Sequence, residues 1–103
     1  MPAIGVLTLE LHIDGARSLK DKRHWVRGLK DRLRASHNVA VAEIEDMEMQ
    51  NHAVVAAVTV SASKENAAKI LESAERMAAA FLGSNLMSAN VEWVEPGEGS
   101  SGE

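Results

Sequence analysis

The order of hydrophobic periodicities along the chain constrains its fold more than any other feature of the sequence. Four segments alternate apolar and polar side chains or are rich in β-branched residues, as strands are, and two segments repeat apolar side chains at helical spacing. The strand patterns cover residues 3–13, 38–47, 53–61 and 86–95, and the helical patterns cover residues 18–35 and 63–83. The sequence therefore predicts the element order βαββαβ.

This order favours one architecture. Right-handed crossovers place both helices on the same face of a four-stranded sheet, which gives an α+β, ferredoxin-like βαββαβ sandwich with a mostly antiparallel sheet. The first and third strands are expected in the centre and the other two at the edges. A chain of 103 residues is enough for one such domain, which we place at residues 1–95. Residues 96–103 are small and polar, so we expect a disordered C-terminal tail there.

Local signals mark the ends of the two helices. Ser18 and Asp21 match the S-x-x-D capping pattern at the start of the first helix. Ser63 precedes the second helix, and Gly83 is placed to end it. The helical residues predicted to face the sheet are Val26, Leu29, Leu33, Ile70, Ala74, Met77 and Phe81.

The composition excludes several classes of protein. The chain has no cysteine, which excludes a disulfide framework, a zinc knuckle and a thiol nucleophile. Its apolar runs are strand-sized and fall short of the roughly 18 residues that cross a bilayer. The N-terminal residues lack the basic segment of a signal peptide. We therefore expect a soluble, cytoplasmic protein that has no contact with a membrane.

Basic residues are concentrated in one segment of an otherwise acidic chain. Residues 17–37 hold eight of the 11 Lys and Arg residues but only two of the 15 Asp and Glu residues. A basic stripe, within about 80° of arc on the first helix, consists of Lys20, Arg23, Arg27, Lys30 and Arg34. Such a stripe fits the phosphates of a nucleic acid or an acidic protein partner. It also fits an ordinary solvated helix face whose long side chains cover apolar surface.

The turn Asp14–Ser18 is a second candidate site, in this case for a small anion. It leads into the N-terminus of the first helix, where free N–H groups and the helix dipole attract phosphate or carboxylate. Lys22 lies in the apolar sector of the helix, and we expect it to extend past the sheet edge and reach this turn. The predicted anion-binding residues are Arg17, Ser18 and Lys22. The alternative is a tight turn beside a lysine that snorkels to solvent.

Several segments resemble one known family. They are Ile4-Gly-Val-Leu-Thr-Leu-Glu-Leu-His-Ile13, Ser18-Leu-Lys-Asp-Lys-Arg23, Leu29-Lys-Asp-Arg-Leu-Arg34 and Asn38-Val-Ala-Val-Ala-Glu43, and they resemble the YlxP-like family of bacterial proteins of unknown function. The resemblance implies a ferredoxin-like fold and supplies no catalytic residues. Members of that family are often encoded beside translation and ribosome-maturation genes, which by analogy implies a connection with RNA or the ribosome.

No group of side chains has the spacing of a catalytic or metal site. The acidic residues of segment 43–48 lack the pattern of a calcium loop, and we interpret them as charges that protect an edge strand from aggregation. The four histidines are not at ligand spacing, and we interpret them as surface or sheet-face residues. Glu10 and His12 share a strand face, but no nucleophile motif or phosphate loop accompanies them. We therefore predict that the protein is not an enzyme and holds no cofactor or metal.

The sheet face away from the helices is predicted to carry apolar side chains, which on a small domain indicates a partner. A homodimer through this face is the simplest arrangement. The residues expected there are Ile4, Val6, Thr8, Val55, Ala57 and either Trp93 or Val94.

Two functions fit these features. The first is contact of the basic stripe with RNA, either ribosomal RNA or a ribosomal subunit, without catalysis. Base stacking on the sheet is not expected, because the three aromatic residues lie on helices or on the fourth strand. The alternative is a dimeric ligand-sensing or protein-interaction module of the ACT type that binds a small molecule near the Asp14–Ser18 turn.

Overall fold

The computed structural model describes residues 1–95, and these residues form the predicted order of elements. The strands are β1 (Ala3–His12), β2 (Ala40–Glu45), β3 (His52–Ser61) and β4 (Leu86–Val94). The helices are α1 (Leu19–Ser36) and α2 (Lys64–Leu82), and a short 3-10 turn at Gly83–Asn85 joins α2 to β4. The predicted tail, residues 96–103, lies outside the described residues.

The four strands form one antiparallel sheet in the order β2-β3-β1-β4. This confirms the ferredoxin-like βαββαβ fold, with β1 and β3 in the centre. These two strands pair over their whole length, from Ala3 opposite Ser61 to His12 opposite His52. Because alternate residues of a strand point to opposite faces, this register decides which side chains meet on each side of the sheet.

Both helices begin at the predicted capping residues, and α2 also ends at the predicted glycine. The Ser18 hydroxyl accepts a hydrogen bond from the backbone N–H of Asp21 at 3.3 Å, and the Ser63 hydroxyl accepts one from the N–H of Asn66 at 3.1 Å. Each bond satisfies an N–H group that has no partner inside its helix. α2 ends at Gly83, whose φ of 57° is costly for a residue with a Cβ atom.

The core lies between the helices and the face of the sheet that they cover. Val26, Leu29 and Leu33 of α1 are buried against that face, as predicted. The prediction for α2 is only partly right, because Ile70, Met77 and Phe81 are half-buried rather than buried. The apolar sector of α2 is wider than its contact with the sheet, so Met77 and Phe81 lie at the margin of the core. The residues of α2 that are buried are Ala67, Leu71, Ala74, Ala78 and Leu82.

The opposite face of the sheet, called the open face below, differs from the prediction at two positions. Val55 and Ala57 are predicted there but are fully buried in the core. The reason is the register of β3, which places both opposite the core-facing leucines of β1. On β4 the ring of Trp93 packs against the core, which leaves Val94 on the open face. The open face carries Thr8 and apolar side chains from all four strands, among them Ile4, Val6, Ala40, Ala42, Val54, Ala56, Val58, Val60 and Val94.

The second strand is shorter than predicted. It pairs with β3 from Ala40 to Glu45, with an irregularity between Glu43 and Glu45. Asp46 then adopts a positive φ of 61°, which turns the chain away from the sheet. No helix within residues 1–95 is both long enough and apolar enough to cross a membrane.

Candidate nucleic-acid interface

The basic stripe lies on the solvent side of α1. Its centre is roughly 110° around the helix from the buried apolar face, so packing against the sheet leaves the stripe accessible. Four of its residues are exposed and Lys30 is half-buried, so the structure brings all five predicted residues onto one accessible face: Lys20, Arg23, Arg27, Lys30 and Arg34.

The charges of the stripe have no carboxylate partner within residues 1–95. The ion pairs of this part of the chain involve His12, Lys22 and His52, and none includes a stripe residue. Arg34 donates a hydrogen bond from Nη2 to the carbonyl oxygen of Val41 at 2.9 Å, which leaves its charge uncompensated. Like charges three or four residues apart destabilise a helix by a few tenths of a kcal/mol per pair. The fold therefore carries these cations at a small cost in stability.

Two shallow depressions open between the side chains of the stripe. One, of about 290 Å³, is lined by Lys20, Arg23, His24 and Arg27. The other, of about 130 Å³, lies nearer to β2 and is lined by Arg23, Val26, Arg27, Lys30 and Glu43. Cationic side chains around a concave surface are suited to an anionic group that lies against the helix.

The turn that leads into α1 already holds a carboxylate. The side chain of Asp21 accepts a hydrogen bond from the backbone N–H of Arg17 at 2.8 Å, while Ser18 caps the helix. An anion placed at this helix N-terminus would therefore meet the negative charge of Asp21. A depression of about 430 Å³ lies beside the turn and is lined by Asp14, Arg17 and Trp25 among others. Its two aspartates make it a poor match for a phosphate.

Lys22 does not reach this turn, so the prediction that it binds an anion there is wrong. Its side chain is 1 % exposed, and Nζ donates hydrogen bonds to the carbonyl oxygens of Asp46 at 2.7 Å, His52 at 3.2 Å and Met47 at 3.3 Å. An oxygen of Glu43 lies 3.0 Å from the same nitrogen and compensates its charge. The position of Lys22 around the helix directs its side chain toward the edge of the sheet, where these carbonyl groups lie close together. Lys22 therefore holds the β2–β3 connection.

A second group of charged side chains lies on the open face. In this group, called the His52 cluster, Nδ1 of His52 lies 2.5 Å from a carboxylate oxygen of Asp46 and Nε2 lies 2.8 Å from an oxygen of Glu10. The hydroxyl of Ser88 donates to the other oxygen of Glu10 at 3.1 Å. Since carboxylates only accept, His52 donates from both nitrogens when it is an imidazolium. The cluster joins three strands to the β2–β3 connection.

These contacts shift two pKa values in opposite directions. The hydrogen bond with Glu10, supported by Asp46, raises the pKa of His52 above its ordinary value. The hydrogen bonds from His52 and Ser88 lower the pKa of Glu10. A protonated His52 with both nitrogens engaged has no free nitrogen to act as a general base. Within residues 1–95 no group of His, Asp or Glu side chains is arranged to hold a metal ion.

Sequence reasoning missed the His52 cluster because it treated each histidine separately. Glu10 and His12 are correctly predicted to share a face of β1. The signal that identifies the partner is the β1–β3 register, which places His52 opposite His12 and diagonal to Glu10. The prediction that the acidic residues of segment 43–48 only protect an edge also overlooks Asp46, which pairs with His52.

Several solved structures share this fold at low sequence identity. The de novo designed protein Foldit4 has a TM-score of 0.59 and 12% identity, over 92% of this chain and 98% of that chain. The protein At3g17210 from Arabidopsis thaliana has a TM-score of 0.59 and 18% identity, over 90% of this chain and 94% of that chain. The de novo designed protein LFR1 1, with a ferredoxin fold, has a TM-score of 0.50 and 13% identity, over 95% and 90% of the two chains. These likenesses show the fold alone.

A comparison with curated proteins finds no match. A family model described as "Protein of unknown function (DUF503)" matches residues 4–91. The matched region includes the whole basic stripe, the turn before α1 and the His52 cluster. The chain therefore belongs to the DUF503 family of proteins of unknown function.

Proposed function

We propose that the protein binds RNA without catalysis, by laying the basic stripe of α1 against the phosphates of ribosomal RNA or a ribosomal subunit. The observation that carries this proposal is the lack of any carboxylate partner for the stripe within residues 1–95. Phosphates would supply the missing compensation, and release of their counterions would drive the association.

The charge of the remaining surface supports the same orientation. The open face carries Glu10, Glu45 and Glu92 around a depression of about 450 Å³. These carboxylates repel phosphate, while the stripe attracts it. A polyanion that approaches the protein is thus steered to α1 rather than to the sheet.

The expected contacts are to the backbone of the RNA. Lys side chains act as point charges toward phosphates, and Arg side chains can donate two parallel hydrogen bonds. Such contacts fix the position of the protein but carry little sequence information. Selection of a particular RNA would then depend on its shape or on a neighbouring protein.

The proposal is tested by reversing two charges of the stripe. Arg27→Glu with Lys30→Glu lies off the buried face of α1, so the fold should be retained. The matched control is Lys69→Glu with Arg76→Glu, which makes the same change of net charge at two exposed positions of α2. In sucrose gradients of cell lysate at low salt, the wild type and the control should travel with ribosomal particles and the stripe variant should not. Equal sedimentation of all three proteins would contradict the proposal.

A dimeric, ligand-binding module of the ACT type is the second candidate function. Two observations favour it: Val58, Val60 and Val94 on the open face are 37%, 57% and 46% exposed, and the turn before α1 borders a depression. In that case gentle purification should retain a small molecule, which mass spectrometry would detect, and no association with ribosomal particles should be seen.

The dimer has its own test. Burying the exposed valines against a second copy would remove apolar area from water. Val6→Asp places a charge in the middle of this surface and should convert the dimer into a monomer. Light scattering of the wild type that gives only the 11.1 kDa of one chain over a wide concentration range would rule the dimer out.

A further inference from the structure

We infer that the nucleic acid that α1 binds is a double helix, which it contacts at the phosphates, rather than a single strand. This inference rests on the function proposed above and adds the class of RNA. It depends on where the aromatic rings lie, on the shape of the basic stripe and on the charge density of the two kinds of RNA.

The tryptophan and phenylalanine rings are half-buried, and each packs against other groups of the protein. The ring of Trp25 lies 5.2 Å from that of Phe81, and the guanidinium of Arg32 covers Phe81 at 4.0 Å. A Cβ atom at Gly28 would approach the Phe81 ring to 2.9 Å, so this ring fills the space between the helices. Trp93 packs against the core. Proteins that hold single strands stack the bases on exposed rings, whereas these three rings are already packed on protein and leave only part of their surface accessible.

One further ring needs a separate test. His24 is exposed and shares a depression with Lys20, Arg23 and Arg27. An exposed imidazole among cations is a possible stacking partner for one unpaired base. Its substitution therefore separates stacking from phosphate contact.

The stripe is a rigid row of charges. From Lys20 to Arg34 it extends over 15 residues of one helix, and the 14 steps between them amount to about 21 Å at 1.5 Å per residue. A double helix presents phosphates that are already fixed in space, so its backbone needs little further ordering to meet the row. A flexible single strand must lose conformational freedom to follow the row, and no stacking repays that loss.

Charge density gives the same preference and sets its size. Each neutralised phosphate releases about 0.9 counterions from a double helix and about 0.7 from a single strand. For about four phosphates, the two slopes differ by about 0.8. Lowering the salt concentration from 1 M to 0.1 M therefore raises the affinity for the double helix about six-fold more than the affinity for the single strand. The acidic open face prevents a strand from wrapping around the protein and recovering this difference through additional contacts.

The test compares two RNA probes by fluorescence anisotropy at 0.1 M salt. One is a mixed-sequence RNA duplex of about 20 base pairs, and the other is an oligouridine of about 20 nucleotides, which stacks little. We expect the wild type to bind the duplex at least about five-fold more tightly, and His24→Ala to change the duplex affinity by less than about two-fold. The steeper salt dependence should belong to the duplex.

The alternative results separate this inference from the proposed function. If the oligouridine binds equally or better and its binding is lost in the Arg27→Glu, Lys30→Glu variant, the stripe binds RNA but the preference for a double helix is wrong. A loss of duplex binding in His24→Ala would also contradict phosphate contact alone. If neither probe binds at low salt, the proposed function fails and this inference fails with it.

Discussion

The two charged regions of the molecule hold their charges in opposite ways. In the His52 cluster the imidazole lies within 2.8 Å of a carboxylate on each side, and the cluster fixes the β2–β3 connection. On the basic stripe the charged groups have no carboxylate partner within residues 1–95. Charges that are paired inside a chain serve its folding, whereas unpaired like charges in a row oppose folding slightly and indicate an external partner.

Two adjacent residues of α1 show the same difference most directly. Lys22 is buried and has three carbonyl acceptors and Glu43 around its ammonium group. Arg23 is exposed, and no carboxylate of residues 1–95 forms an ion pair with it. Both are basic, and both lie near the start of the same helix. Their angle around the helix axis, rather than their residue type, decides whether the charge belongs to the fold or to the surface.

The largest effect should come from removing the buried charge. Lys22→Met leaves Glu43 without its cation and three carbonyl groups without their donor, which should destabilise the fold by about 3–5 kcal/mol. The matched control, Lys20→Met, removes an exposed charge two residues away and should change stability by less than about 0.5 kcal/mol. Urea unfolding measures both. A loss below about 1 kcal/mol in Lys22→Met would mean that this lysine does not hold the connection.

The pH dependence of stability should come from the His52 cluster. The contribution of His52 is complete below its ordinary pKa of 6.5 and is lost as the pH rises through its raised pKa in the folded state. The contribution of Glu10 is present above its ordinary pKa of 4.5 and is lost as the pH falls through its lowered value. Between these limits both contributions are present, so stability should be highest there.

This pH dependence can be assigned with one substitution. His52→Gln removes the titrating group and should flatten the fall in Tm on the alkaline side. His24→Gln, at an exposed position on α1, should leave the curve of the wild type unchanged. Thermal unfolding of the three proteins between pH 4 and pH 9 measures the effect. Parallel curves for His52→Gln and wild type would show that the cluster does not contribute.

The smallest effect on stability should come from a substitution in the basic stripe. Lys30→Gln relieves repulsion between neighbouring cations and breaks no ion pair, so the free energy of unfolding should stay within about 0.5 kcal/mol of the wild type. Chemical denaturation measures this change. A clear destabilisation would indicate that the stripe supports the fold and would weaken its interpretation as an interface.

The fold and the stripe were predictable from the sequence because both depend on periodicity. Leu29 and Arg27 lie on different sides of α1, and their positions around the axis follow from 3.6 residues per turn. The contacts of Lys22 and His52 were not predictable in the same way. They depend on the β2–β3 connection, whose path follows from the positive φ of Asp46 and the end of β2. Local patterns do not specify such a path, so the partners of these two residues required the structure.

The salt dependence of RNA affinity tests the central claim most directly. Contact of the stripe with three or four phosphates of an RNA duplex predicts a slope of about −3 for log K against log salt concentration. Reversing Arg27 and Lys30 should bring the slope about two units closer to zero, while reversing Lys69 and Arg76 on α2 should leave it unchanged. The same slope for all three proteins, or no measurable affinity of the wild type at low salt, would contradict the claim that the unpaired charges of α1 bind RNA.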